Sequence, residues 1–161
     1  MTASRTAASL SQIAPASPQL WTIGYERLWP GELAAELSAA GVQRLIDVRY
    51  RPQSRRPGMS KTRLAHLLEE NAITYEHRRE LGTPPEIRVL YRTGATRKAT
   101  EAFREHIRRN AAAELDELAA ELIDGPRTAL MCLEAEPAHC HRSVLAAELK
   151  LRKPSLRVKD L

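Results

Sequence analysis

The sequence predicts a single three-layer α/β domain with a mostly parallel central sheet of about four or five strands flanked by helices. Short apolar runs alternate with amphipathic stretches over residues 19–161, which is the signature of repeated strand–helix units and of a sheet covered on both faces. The chain of 161 residues, 43% hydrophobic and 28% charged, is long enough to bury one respectable core. No stretch approaches the roughly 20 apolar residues of a membrane span.

Taken in order, residues 1–18 are rich in Ala, Ser, Thr and Pro without apolar periodicity and read as a mobile tail, with order beginning near Leu20. LWTIGY (Leu20 to Tyr25) is a short buried strand. After Pro30, Leu33, Ala34, Leu37 and Ala40 recur at helical spacing until Gly41 stops them. VQRLIDVR is a second strand ending at Asp47 to Arg49, and SKTRLAHLLEENAI is a helix with Ser60 as its N-cap. Ile73 to Glu76 is a short extended piece, and LGTPPEIRVLYRTGA, with its Pro, Gly and Thr, is expected to be a long irregular connection. From Arg97 to Asp124 the positions Phe103, Ile107, Leu115, Leu118 and Leu122 trace a long helix broken near Asn110. Arg127 to Cys132 is a further strand, Arg142 to Lys150 a further helix, and Leu156 to Val158 an edge strand. In such sheets the ligand crevice lies at the carboxyl ends of the strands, where Asp47, Arg49 and Cys132 fall.

The excess of 25 Lys and Arg over 20 Asp and Glu gives a net charge of +5, which permits polyanionic partners without demanding them. Two cysteines are too few for a disulfide scaffold, so both thiols are expected to be free and the protein cytoplasmic. The N-terminus lacks the continuous apolar region of a secretory signal.

Chemistry is concentrated in TALMCLEAEPAHCHRSVLAAEL, Thr128 to Leu149. Cys140, His141 and Arg142 open a helix whose exposed amides attract anions and lower a thiol pKa. Arg142, the helix dipole and a protonated His141 would together favour a Cys140 thiolate, whereas Cys132 at a strand end is either a small core hydrophobe or a second functional thiol. His141 is a candidate acid/base, and Glu134 a base or an arginine partner. Glu134, His139, Cys140 and His141 are potential metal ligands, but the usual paired spacing and a second cluster are absent, so neither metal nor cofactor is expected. Asp47 would orient Arg49, Arg142 or a water, or simply form a structural salt bridge. The acid-free stretch Arg49 to Arg63 offers Arg49, Arg51, Ser54 and Arg55 to phosphates, with Arg78 and Arg79 widening the patch and Tyr50 and Tyr75 available for stacking.

The segments TIGY, LIDVRYRPQSR, ITYEHRRELG and MCLEAEPAHCHR, in that order, resemble the domain of unknown function 488 family over nearly everything after Leu20. The resemblance implies an α/β fold and a shared polar cluster borne by Cys132, Glu134, Cys140, His141 and Arg142, but no reaction. Thr83 follows Gly82 where that pattern has a second glycine. The layout is also similar to rhodanese and cysteine-phosphatase domains, although Cys132 and Arg142 stand ten positions apart, more than their compact thiolate loop spans.

The leading expectation is an enzyme acting on a phosphate-bearing substrate, a nucleotide or nucleic acid. Arg49, Arg51, Ser54, Arg55 and Arg142 would hold the anion, Asp47 and Glu134 would orient groups or accept protons, and Cys132 or Cys140 with His141 would do nucleophilic or redox work. The competing classes are a non-catalytic nucleic-acid-binding module using the basic loop and a metal-binding protein. All of these enzyme roles require the Asp47–Arg49 corner and the Cys140–Arg142 turn to meet in one cleft.

Overall fold

The computed structural model describes residues 17–161. They build five strands in the order β3-β2-β4-β1-β5, all parallel. The strands are β1 (Gln19–Gly24), β2 (Arg44–Asp47), β3 (Thr74–His77), β4 (Thr128–Cys132) and β5 (Arg157–Asp160). Every residue of β2 and β4 is buried, as strands covered on both faces require.

Helices α1 (Pro30–Ala39) and α2 (Lys61–Glu70) cover one face, where Leu33, Leu37, Leu64 and Leu68 pack on Trp21, Ile23, Leu45, Ala129 and Met131. The other face carries α3 (Pro85–Arg92), α4 (Thr96–Asn110), α5 (Ala112–Asp124) and α6 (Arg142–Arg152), packed on Leu20, Ile46, Leu130 and Cys132. The alternation of Ala129, Leu130, Met131 and Cys132 between the two cores follows the two-residue period of a strand. It also fixes the Cys132 side chain on the α6 side of the sheet.

Local chemistry explains the element ends. Pro30 occupies the first turn of α1, where its missing N–H costs nothing, and the Glu32 carboxylate accepts from the Trp29 amide at 2.7 Å. Gly41 follows the helix at φ +70°, a conformation glycine adopts freely. Ser60 precedes α2 as expected, but its hydroxyl donates to the Ser54 carbonyl instead of capping the helix. The long helix is divided at Ala111, one residue after Asn110.

One expectation about the elements is overturned. LGTPPEIRVLYRTGA is not an irregular connection: a single turn at Arg79–Leu81 leads into α3, which starts at Pro85 and buries Ile87. A proline at a first helical position starts helices as readily as it breaks them, so Pro84–Pro85 was a start signal. The expected mobile tail falls almost wholly on residues 1–16, outside the described residues, while the Pro18 carbonyl already accepts from the Arg157 amide at 2.9 Å. No helix among the described residues is long and apolar enough to cross a membrane.

Candidate functional site

The carboxyl ends of β1, β2 and β4 open into a cavity of about 50 Å³. Eight candidate residues from the sequence line it: Arg49, Tyr50, Arg51, Cys132, Glu134, His139, Cys140 and His141. Two distant stretches of chain meet there, because His141 Nε2 lies 2.9 Å from the Val48 carbonyl oxygen. A carbonyl only accepts, so Nε2 carries the proton. Burial holds His141 neutral, its pKa pushed down to about 4, against the opposing pull of the Val48 carbonyl. In the neutral ring Nδ1 is then an acceptor, and it faces Cys140 Sγ at 3.6 Å.

Asp47 and Arg49 satisfy each other. The Asp47 carboxylate is fully buried, and it accepts from Arg49 Nε at 2.9 Å and from a terminal Arg49 nitrogen at 2.6 Å, with the Tyr75 hydroxyl adding a further bond. Burial works against the charged guanidinium, but the carboxylate more than offsets it and the Arg49 pKa rises. This pair is a buried strut under the cavity floor. Burial, reinforced by Asp47, raises the Tyr75 pKa and keeps its hydroxyl a donor, so Tyr75 is occupied.

Arg142 is 0% exposed, and no carboxylate among the described residues pairs with it. One terminal nitrogen lies 2.9 Å from Cys132 Sγ and also bonds the Glu134 carbonyl, the other reaches the Ala135 carbonyl at 2.8 Å, and Nε donates to Thr22 Oγ1 at 3.2 Å. Burial lowers its pKa, as it must for a cation surrounded by neutral acceptors. The guanidinium thus faces Cys132, where the sequence reading had set it beside Cys140. Gly24 makes this packing possible: a Cβ there would collide with the Glu134 carbonyl and lie 2.7 Å from the guanidinium.

Cys132 and Cys140 are joined as a disulfide, with Cα atoms 7.5 Å apart, and no free cysteine remains. The expectation of two free thiols fails here, because the β4–α6 loop folds back and returns Cys140 to the end of the strand that bears Cys132. With Glu134, the sulfurs form a group whose donor atoms lie within 4.8 Å of one another. The Arg142 guanidinium against Cys132 Sγ disfavours adding a second cation to that group.

The sequence reading missed Thr83, Arg88 and Tyr91, which also line the cavity. Thr83 is buried, and its hydroxyl has no hydrogen-bond partner. The Tyr91 hydroxyl is likewise buried, standing near Thr100 without closing a bond to it. Arg51 and Arg88 are exposed and make no ion pair among the described residues. The helical spacing of Ile87 and Tyr91 was the signal that would have placed Arg88 on the cavity-facing turn of α3. Gly82 lets the chain pass the Tyr50 backbone closely, and Thr83 takes an ordinary backbone conformation in spite of the missing second glycine.

A family model for the domain of unknown function DUF488 matches residues 30–149. The chain belongs to the DUF488 family. No curated protein and no solved structure gives a match, so the likeness to rhodanese domains gains no support. The DUF488 match takes in β2 to β4 and most of α6, and with them Asp47, Arg49, Thr83, Arg88 and the Cys132–Arg142 loop.

Ser54 and Arg55 lie apart from this cavity. They border a second, open depression with Arg56, Lys61 and Arg63, and Gln53 stands between the two. Arg56 is held in place by the carbonyls of Tyr25, Glu26 and Leu28 at 2.5–2.7 Å. Arg78 is buried among Glu76, Glu114 and Glu121 and adds nothing to a basic surface, and Arg79 stacks on Tyr50 at 4.4 Å.

Proposed function

We propose that this DUF488 protein is a cysteine-dependent enzyme acting on a phosphate-bearing substrate bound in the cavity at the carboxyl ends of β1, β2 and β4. The observation that carries the reading is the orphaned Thr83 hydroxyl beside Arg51 and Arg88, in the same cavity as both sulfurs. A buried hydroxyl without a partner costs about 1–3 kcal/mol, and an oxyanion is the group that would satisfy it together with two guanidinium groups that make no ion pair among the described residues.

Size narrows the substrate. A water needs roughly 10–15 Å³, so a cavity of about 50 Å³ takes a phosphate-sized head and leaves a nucleoside outside. Arg51, Arg88 and Thr83 would hold that head, and His141 is a neutral group beside Cys140. Asp47 and Arg49 brace the floor without touching substrate.

The reading is tested by equilibrium binding of inorganic phosphate and of a panel of phosphate monoesters, followed by turnover assays on those that bind. Arg88→Ala should weaken binding at least tenfold, and Cys140→Ser should abolish turnover while leaving binding intact. Absence of binding at millimolar phosphate, or binding indifferent to Arg88→Ala, would overturn it.

A second reading, a non-catalytic nucleic-acid-binding module, is favoured by the exposed Arg55, Lys61 and Arg63, which border one depression and make no ion pair among the described residues. It requires salt-dependent affinity for nucleic acid that survives Cys140→Ser and falls in Arg55→Ala and Arg63→Ala.

A further inference from the structure

We propose that the protein exchanges its Cys132–Cys140 disulfide with small thiols, and that Cys132 is the leaving group, released as a thiolate against the Arg142 guanidinium. The proposal rests on the cysteine-dependent reading above and assigns different roles to its two sulfurs.

Arg142 is the buried cation nearest the disulfide. A fully buried cation needs an anion, and this one finds only carbonyls, one hydroxyl and Cys132 Sγ. In the disulfide the sulfur carries no charge, so the guanidinium has no counter-ion within hydrogen-bond reach among the described residues. Reduction supplies one at 2.9 Å. Cys140 has a different neighbour: the neutral His141 ring offers it the unprotonated Nδ1, which accepts a hydrogen bond from a thiol S–H and so favours the protonated sulfur.

The other charges facing the sulfurs are few. Glu134, from the β4–α6 loop, places a carboxylate oxygen within 4.8 Å of both and opposes a thiolate. Asp160 on β5 accepts from Thr22 on β1, the residue that receives Arg142 Nε, and so holds the guanidinium from behind. Arg51 beyond β2 and Arg88 on α3 border the same cavity and add positive potential, as does His139 when protonated, whereas the charge of Arg49 is neutralised by Asp47. The contact with Arg142 is the closest of these and the most buried, so it dominates.

The thiolate of a small thiol, RS⁻, attacks Cys140 Sγ, the RS–S(Cys140) bond forms, the Cys132–Cys140 bond breaks, and the electron pair leaves on Cys132 Sγ. A second thiolate attacks the small-thiol sulfur of the mixed disulfide, RSSR departs, and Cys140 takes a proton and bonds His141 Nδ1. Two RSH and the protein disulfide thus give RSSR, a Cys132 thiolate, a Cys140 thiol and one proton to solvent. Both cysteines are buried, yet both line the cavity, so the attacking thiol must be small enough to enter it. A reduced form held by an ion pair makes the disulfide a good oxidant.

The test is site-resolved alkylation of the reduced wild-type protein across pH, with each cysteine followed by peptide mass spectrometry, and a glutathione redox titration of the same protein. Cys132 should react with a midpoint at or below about 7, against about 8.5 for a free thiol, while Cys140 should not. Millimolar glutathione should reduce the disulfide. A low midpoint on Cys140, on neither cysteine, or a disulfide that resists glutathione would overturn the proposal. Phosphate binding measured on the same samples separates the two readings: binding without a low-titrating Cys132 sinks only the exchange, and a low-titrating Cys132 without binding sinks only the phosphate substrate.

Discussion

His141 Nε2 donates to the Val48 carbonyl at 2.9 Å and thereby fastens the start of α6 to the end of β2. The bond joins residues 93 positions apart and sets which ring nitrogen faces Cys140. It also has a pH signature. The folded-state pKa of about 4 lies below the ordinary 6.5, so the unfolded chain binds the proton first. Stability should therefore be intact above pH 6.5, decline as pH falls from 6.5 to about 4, and level off below that, with a limit of about 3 kcal/mol. Urea unfolding of wild type and His141→Asn across this window should show the slope reduced in the variant.

Asp47→Asn should destabilise the fold by about 3–5 kcal/mol, because it leaves the buried Arg49 guanidinium without its carboxylate. Equilibrium denaturation measures the loss. A change under 1 kcal/mol would mean the pair is not closed in solution.

Thr83→Val separates stability from binding. Removing an unpartnered buried hydroxyl should leave the free protein as stable or slightly more so, while phosphate affinity falls about tenfold. Thermal melting and titration calorimetry on one preparation give both numbers.

Gly24→Ala should disrupt the β4–α6 loop, since the added methyl meets the Glu134 carbonyl and the Arg142 guanidinium. A loss of about 1–3 kcal/mol is expected, with changed alkylation of Cys132, the sulfur nearest that guanidinium.

Arg56→Ala should loosen the basic loop, because its guanidinium caps the carbonyls of Tyr25, Glu26 and Leu28. Proteolysis within residues 51–60 should accelerate, with little change in the midpoint of global unfolding.

Much of the fold was legible because its signals are local. Apolar runs gave β1, β2 and β4, and leucine spacing gave α1, α2 and the helix pair divided near Asn110. The third helix was hidden by its composition, since Pro, Gly and Thr at its borders suggest a loop until the spacing of Ile87 and Tyr91 is weighed. At the site, the sequence put Arg49 and Cys132 at the carboxyl ends of two strands and made the enzyme reading depend on the Cys140–Arg142 turn meeting them, and the structure gathers Arg49, Cys132, Glu134, Cys140 and His141 around one cavity. Partner choice was not legible. Which sulfur Arg142 meets depends on the strand face that Cys132 occupies, and the burial that keeps His141 neutral comes from helices packed over it. Arg88 and Thr83 became visible only with α3 in place.

The DUF488 match covers residues 30–149, yet β1 and β5 lie outside it. Those two strands supply Thr22, which receives Arg142 Nε, and Asp160, which steadies Thr22. A fragment trimmed to the matched boundaries would bare the flank of β4 and strip the guanidinium of that support. The smallest piece worth expressing therefore runs from before Gln19 through Leu161, and relatives compared only over the shared core would conceal how each one props its arginine.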